Sequence, residues 1–230
     1  MIDSFKAVFF DAGGTLLHPF PSVGEIYRQV AGAHGCEVDA ETTEKLFRQA
    51  WLKRDGLSHL TGHSSEKVER AWWRDLVHEV FSEIGGFKDF EAFFSELYDV
   101  FARPEYWKLY PGTLEILGTL KAQNKRLGII SNWDSRLFNI CSGLGLEKYF
   151  DFVIASAVFG ASKPSAKIFQ EALKKAGVQP HEAVHIGDSF EDDIQGARSV
   201  GIHAILIERH PQHRKLENVP TIHDLKELIK

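Results

Sequence analysis

Cysteine is scarce. Cys36 and Cys141 stand far apart in 230 residues, with neither a CxxC pair nor a Cys/His spacing that suits a metal. That excludes a disulfide-stapled small domain and a zinc ribbon, and two free thiols in a reducing compartment are expected. Long apolar runs are missing as well. No stretch approaches the roughly 18 consecutive apolar residues of a membrane span. Met1-Ile2-Asp3 leads straight into Ala7-Val8-Phe9-Phe10, a run too short for a signal core. A soluble, cytoplasmic protein is therefore expected. Positive charge is not in excess: 27 Lys and Arg against 32 Asp and Glu leave a net charge of −5. Nucleic acid and anionic membranes select for basic surface, so neither is expected as a partner. No repeat of solenoid period and no low-complexity tract occurs. No histidine metal site is assigned among the 11 histidines.

What is present divides by the period of its apolar residues. Residues 6–10 form a short apolar run that ends at Asp11 and a Gly13-Gly14 turn, the pattern of a buried strand. From about 20 to 103 the spacing is helical. Ser22 is placed to cap a helix to about His34, and Asp39 one carrying Leu46, Phe47, Ala50 and Trp51. Ser64 or Ser65 caps a third, with Val68, Trp72, Leu76 and Val80. A fourth begins near Lys88, carries Phe93, Phe94, Leu97 and Val100, and stops before Pro104. The helical spacing of Trp51, Trp72, Trp73, Phe93 and Phe94, and Trp107 beyond them, reads as packing rather than as a substrate box.

After Pro111-Gly112 helices alternate with short strands. A helix over 113–123 precedes Leu127-Gly128-Ile129-Ile130, and a helix expected to be capped by Asp134 precedes Phe152-Val153-Ile154. A helix opened near Pro164 precedes Val184-His185-Ile186, and one over 191–200 precedes Ala204-Ile205-Leu206-Ile207. Such alternation implies a parallel sheet covered on both faces, whose active crevice lies at the carboxyl ends of its strands. The polar residues just after each strand are Asp11, then Ser131 and Asn132, then Lys163, then Asp188 with Glu191, Asp192 and Asp193. A carboxylate can attack phosphorus, a hydroxyl and a lysine can hold charge on the transferring group, and an acidic cluster can bind Mg²⁺. His185, inside a strand, reads as a core residue, and Lys121, Lys125 and Arg126 as solvated surface.

FFDAGGTL at 9–16, IISN at 129–132, Lys163-Pro164 and IGDSFEDD at 186–193 together resemble the four motifs of the haloacid dehalogenase superfamily, in order. Pro111-Gly112 before the second motif and Gly196-Ala197-Arg198 after the fourth agree. The resemblance implies an α/β, Rossmann-like parallel-sheet core (residues 1–17 and 107–230) with an inserted all-helical cap (18–106). It implies a hydrolase in which Asp11 is nucleophile and metal ligand, while Ser131 and Asn132 hold and orient the transferring group. Lys163 would neutralise charge. Mg²⁺ would be held by Asp11, the Gly13 backbone carbonyl, Asp188 and Asp193, with Asp192 the alternative to Asp193. A small phosphorylated metabolite is the implied substrate. Oligomeric state is left open.

One position departs from the pattern. Phosphatases of this family carry a second aspartate where this chain has Gly13. A backbone carbonyl survives that change, but the side chain that protonates the leaving oxygen and then activates water does not. Losing a positioned acid–base group costs about 10²–10⁴ in rate. Three accounts follow: a slow or specialised phosphatase, a catalytically weak Mg²⁺-binding or regulatory module, and a 2-haloacid dehalogenase, which needs no leaving-group proton. The acidic pair Asp188 and Asp193 argues against the last, because dehalogenation needs no Mg²⁺. His18 is a substitute acid only by its nearness in sequence, and an ordinary histidine is the plainer reading.

Overall fold

The computed structural model describes residues 2–57, 60, 64–84, 87–209 and 219–229. In chain order its elements are β1 (Ala7–Phe10), β2 (Leu17–Pro19), α1 (Val23–Ala33), α2 (Ala40–Lys53), α3 (Glu66–Ser82), α4 (Phe90–Val100) and β3 (Trp107–Leu109). These are followed by α5 (Thr113–Ala122), β4 (Arg126–Ser131), α6 (Arg136–Gly143), β5 (Phe152–Ala155), α7 (Ser156–Phe159) and α8 (Ala166–Ala176). The last are β6 (Ala183–Gly187), a π-helical turn (Phe190–Gln195), α9 (Gly196–Ser199), β7 (His203–Ile207) and β8 (Thr221–Ile222). No helix among the described residues is long and apolar enough to cross a membrane.

Six strands form one parallel sheet in the order β5-β4-β1-β6-β7-β8. Its strands are short and apolar because both faces are covered. Successive side chains serve opposite layers: Val8 and Phe10 pack with Ile129 and Ile186 on one face, Ala7 and Phe9 with Ile130 and Phe169 on the other. Gly128 is required in β4, since a Cβ there would stand 2.3 Å from the Phe152 ring. The chain builds outward from β1 through β4 to β5, then crosses to β6 on the other side. β1 is thus the point where the strand order reverses, and a crevice opens at its carboxyl end.

Between β2 and β3 the chain forms a separate helical layer. Tyr27, Phe81, Phe93, Phe94 and Leu97 are buried together in it, with the Tyr27 and Phe81 rings stacked. The caps match the sequence reading at two helices: Ser22 accepts from Glu25 N–H and Asp39 from Thr42 N–H. Ser65 occupies the cap position of α3 without a side-chain bond, and Ser64 donates instead to Glu69. The antiparallel pair β2–β3 joins the two layers, His18 opposite Lys108. The sequence reading missed that pair, along with α7 and β8, because elements of two to four residues carry too few positions to show a period.

Lys125 corrects the reading of 121–126 as solvated surface. Lys121 and Arg126 do lie at the surface, where both pair with Asp151. Lys125 is buried, and its Nζ donates to the carbonyls of Ile2 (3.1 Å), Asp3 (3.1 Å) and Phe5 (2.7 Å), fastening the segment before β1. Replacing it with methionine leaves three acceptors without their donor. We expect Lys125→Met to lose about 1–3 kcal/mol of stability in urea unfolding. An unchanged midpoint would mean that water satisfies those carbonyls.

Candidate active site

Four strand ends deliver the polar residues to the crevice. Asp11 follows β1, and its N–H is fixed by Ile186 O of the neighbouring β6 (2.9 Å). Ser131 ends β4 and donates to Asp11 Oδ1 at 2.9 Å. Lys163, on the loop between α7 and α8, donates from Nζ to the same oxygen at 2.7 Å and to Asp193 Oδ1 at 2.5 Å. Among the described residues no donor reaches Asp11 Oδ2. Asn132 engages both ends of its amide with the Lys163 backbone, donating to its carbonyl (3.0 Å) and accepting from its N–H (2.7 Å). Asn132 therefore fixes Lys163, and it also lines the cavity over the site.

The segment after β6 places the acidic pair. The first turn is π-helical, with both Asp193 N–H and Ile194 N–H bonded to Ser189 O. This wide turn carries Asp193 under the sheet edge, where Ser189 N–H donates to Oδ2 at 3.0 Å. Gly187 makes the fit possible, because a Cβ there would lie 2.1 Å from the Asp193 carboxyl carbon. Asp192 faces outward into the cavity and takes only a long bond from Asn132 (3.4 Å). It is Asp193, not Asp192, that joins Asp11 and Lys163.

One carboxylate oxygen each from Asp11, Asp188 and Asp193 lies within 4.8 Å of the others. Burial pushes the Asp11 carboxyl above its usual range, with Lys163 opposing. Burial works against Asp193 too, but the Lys163 charge and the His185 bond outweigh it and hold that carboxyl well below the usual range. Lys163 is kept protonated: burial opposes its charge, and Asp11 and Asp193 more than restore it. Asp188 is pushed up to about 8 by the protein packed round it and by repulsion from Asp11 and Asp193. Asp188 itself is exposed at the mouth of the crevice, whereas Asp11 and Asp193 are buried. Three carboxylates thus face one ammonium, an excess of negative charge. Oxygen donors in that number suit a hard divalent cation of the Mg²⁺ type.

His185 had read as a core residue, and it is buried, edge-on to Phe169. It also bonds through Nε2 to Asp193 Oδ1 at 2.8 Å, a role that its position in the middle of a strand conceals in sequence. Its period-two register with Gly187 at the strand end was the available signal. Arg209, after β7, was likewise missed. Its guanidinium donates to the carbonyls of Gly14 (3.2 Å) and Thr15 (2.6 Å) and lies 3.6 Å over the Tyr110 ring, bracing the turn that follows Asp11. His18 turns away: its ring packs on Tyr110 and its Nδ1 meets Pro19 O, outside the cavity. Asp134 is buried rather than a plain helix cap. It binds Arg136 through both its N–H and its guanidinium, and accepts from Trp73 Nε1 at 2.6 Å.

A cavity of about 330 Å³ lies over the cluster, between the sheet edge and the helical layer. Trp51, Trp73 and Trp107 line it, whereas Phe93 and Phe94 are packed inside the helical layer. The packing reading thus holds for the phenylalanines, and the three indoles do both: Trp51 and Trp73 pack against the helical layer and Trp107 against the sheet core while also lining the cavity. Gly13 also faces the cavity, and a Cβ there would meet the Trp133 ring at 3.2 Å.

An acidic cluster with a buried lysine, set where a parallel sheet reverses its strand order and covered by helices, is the site architecture of an enzyme built on a doubly wound α/β fold. The family model for haloacid dehalogenase-like hydrolases matches residues 5–201, and the chain belongs to that family. It is 38% identical over 205 residues to the human haloacid dehalogenase-like hydrolase domain-containing protein 3, covering 88% of this chain and 81% of that one. Among solved structures it resembles a HAD phosphatase from Thermococcus onnurineus (27% identity, TM-score 0.70, 97% of this chain and 96% of that one). It also resembles a 2-haloacid dehalogenase from Pseudomonas syringae (25% identity, TM-score 0.67, 98% and 96%).

Gly14 offers a direct check on the cluster's geometry. It adopts φ +76°, and a Cβ would stand 2.3 Å from Asp188 Oδ2. Gly14→Ala should strain the turn by about 1–3 kcal/mol and displace Asp188. We expect a folded protein with at least tenfold weaker Mg²⁺ binding by calorimetry than wild type. Equal affinity would show that Asp188 plays no part in holding the ion.

Proposed function

We propose that this hydrolase is a Mg²⁺-dependent phosphatase of small phosphorylated molecules, working through an aspartyl phosphate on Asp11. In this reading residues 1–17 and 107–230 form the catalytic core, and 18–106 form the cap that encloses the substrate. The observation that carries it is the asymmetric holding of Asp11. Ser131 and Lys163 both bind Oδ1, so Oδ2 keeps its lone pairs for attack on phosphorus. Held by Asp11, Asp188, Asp193 and the Gly13 carbonyl, Mg²⁺ would screen the approach of the carboxylate to the phosphate anion.

The chain's own residues do the rest. Lys163, fixed through its backbone by Asn132, keeps positive charge beside Asp11, where negative charge builds on the transferring group. Asp193 keeps Lys163 charged and is itself aimed by His185 and Ser189. Bond formation at Oδ2 breaks the bond from phosphorus to the leaving oxygen. Water then attacks phosphorus, releasing phosphate and restoring Asp11. Gly13 gives neither step a side-chain proton donor or acceptor, which makes the enzyme slow on poorly activated esters.

A dehalogenase reading draws support from the likeness to the Pseudomonas syringae enzyme and from the apolar cavity. It gives the acidic pair no task, and it predicts turnover of 2-haloacids that chelators leave untouched. The decisive assay is p-nitrophenyl phosphate hydrolysis by wild type and Asp11→Asn, with Mg²⁺ and with EDTA. We expect activity only in the wild type with metal, and a loss of about three orders of magnitude or more without Asp11. Full activity in Asp11→Asn would end the proposal.

The Gly13 argument has its own test. Gly13→Asp should raise hydrolysis of alkyl phosphates by about 10²-fold where the new side chain finds room. The Trp133 ring stands 3.2 Å from the site of its Cβ, so Gly13→Asp/Trp133→Leu is the companion variant. No gain in either would mean that a group other than residue 13 supplies the proton.

A further inference from the structure

The walls of the cavity say what the rest of the substrate is made of. Above the polar floor stand Phe47, Trp51 and Trp73 from the helical layer, facing Phe101, Trp107 and Trp133. The indoles are ordered in pairs: Trp51 stacks on Trp73 with centroids 5.7 Å apart, and Trp107 meets Trp133 at 4.9 Å. Their polar edges are partly engaged elsewhere. Trp73 Nε1 donates to Asp134 Oδ2, and Trp107 Nε1 donates to Phe101 O at 3.1 Å.

Among the described lining residues the cations are Lys163 and Arg136. Lys163 is held by Asp11 and Asp193. Arg136 is forked onto Asp134 (Nε–Oδ1 3.0 Å, Nη2–Oδ2 2.7 Å), its guanidinium 4.7 Å from the Trp73 ring centroid and 4.2 Å from that of Tyr98. Neither cation is placed to receive a second anionic group, and the aromatic wall offers little to the hydroxyls of a sugar. A flat apolar group, by contrast, finds flat apolar rings. A dry apolar cavity of about 150 Å³ holds one benzene, so a cavity of about 330 Å³ has room for a phosphoryl group with one or two fused rings.

Gly13 points the same way independently. The space that a side chain at position 13 would enter is bordered by the Trp133 ring, 3.2 Å from the site of its Cβ, so an indole borders the place where a side-chain acid would project. We propose that the substrate is the phosphate monoester of a flat, uncharged aromatic alcohol, bound with its ring among these indoles. The inference rests on the phosphatase reading above. Asp11 Oδ2 forms the bond to phosphorus, the bond from phosphorus to the aryl oxygen breaks, and its electron pair stays on that oxygen. A phenol has a pKa of about 10, whereas an alkoxide is about as basic as hydroxide, whose parent water has a pKa of about 15.7. An aryloxide therefore departs without the proton that Gly13 cannot provide.

The experiment compares 2-naphthyl phosphate, phenyl phosphate, glucose 6-phosphate and acetyl phosphate with the Mg²⁺-loaded protein. The two aryl esters have leaving groups of similar acidity and differ in the ring available for stacking. We expect KM for the naphthyl ester to lie on the order of tenfold below that of the phenyl ester, with kcat little changed. Trp51→Ala should erase that preference, and Phe47→Ala should reduce it if the first variant fails to fold. Acetyl phosphate, whose leaving carboxylate needs no proton and carries no ring, should turn over with a higher KM than either aryl ester. Equal kcat/KM for glucose 6-phosphate and the naphthyl ester would overturn the aromatic substrate and leave the phosphatase standing. Absence of Asp11-dependent turnover on all four, acetyl phosphate included, would overturn both.

Discussion

Three carboxylates and one ammonium share the crevice at the end of β1, and the local structure is arranged round the need to compensate them. Lys163 is 2% exposed and Asp193 1% exposed, so neither charge is tolerable alone. Removing one partner of such a buried pair costs about 3–5 kcal/mol. The surrounding sequence serves that constraint. Asn132 locks the backbone of Lys163, Gly187 makes room for the Asp193 carboxyl, and the π-helical turn brings that carboxyl under the sheet edge. His185 and the Ser189 N–H then supply Asp193 with donors. With Lys163 saturated by Asp11 and Asp193, the Asp188 carboxyl is left without a cation among the described residues, and it is the one exposed at the mouth of the crevice.

The sheet and the polar residues at its edge were legible because they follow from local rules. A short apolar run with a polar residue at its end reads the same way in sequence and in space when the strand is buried on both faces. Asp11 and Asp188 stand directly after a strand, Ser131 ends one, and Lys163 lies past the short α7 that follows β5, so order along the chain was enough to bring them together. The choice between Asp192 and Asp193 was not legible. It depends on whether the turn after Ser189 is α or π, and that difference shifts one residue by a large angle without a sequence mark. Lys125 fails for a related reason: charge predicts surface, and only the carbonyls of Ile2, Asp3 and Phe5 converging from 120 or more residues away reverse it.

The indoles show the limit of periodicity in a different way. Trp51 on α2 and Trp72 and Trp73 on α3 have helical apolar spacing, and all three are half-buried. Burial by the helical layer and burial by a substrate cavity are one signal in sequence, because both need an apolar stripe. What separates them is the partner across the stripe. For Phe93 and Phe94 it is other residues of the same helical layer; Trp73 also reaches Asp134 at the edge of the sheet, 61 residues away, and Trp51 stacks on Trp73.

That partner is itself a polar network, and its chemistry determines how the helical layer sits. Glu69 of α3 is fully buried, accepting from Ser64 Oγ (2.7 Å) and Ser135 Oγ (2.5 Å), while Trp73 one turn later reaches Asp134, which in turn forks Arg136. Apolar contacts alone would let α3 slide by a fraction of a turn over the sheet at little cost. Directional bonds to Ser135 and Asp134 permit one register. Buried charge adds little net stability, since water solvates the same carboxylates when the layers part. The network is therefore suited to fixing geometry rather than to adding stability. Because Trp73 and Arg136 belong both to this network and to the cavity wall, the position of the helical layer and the shape presented to the substrate are set by the same bonds.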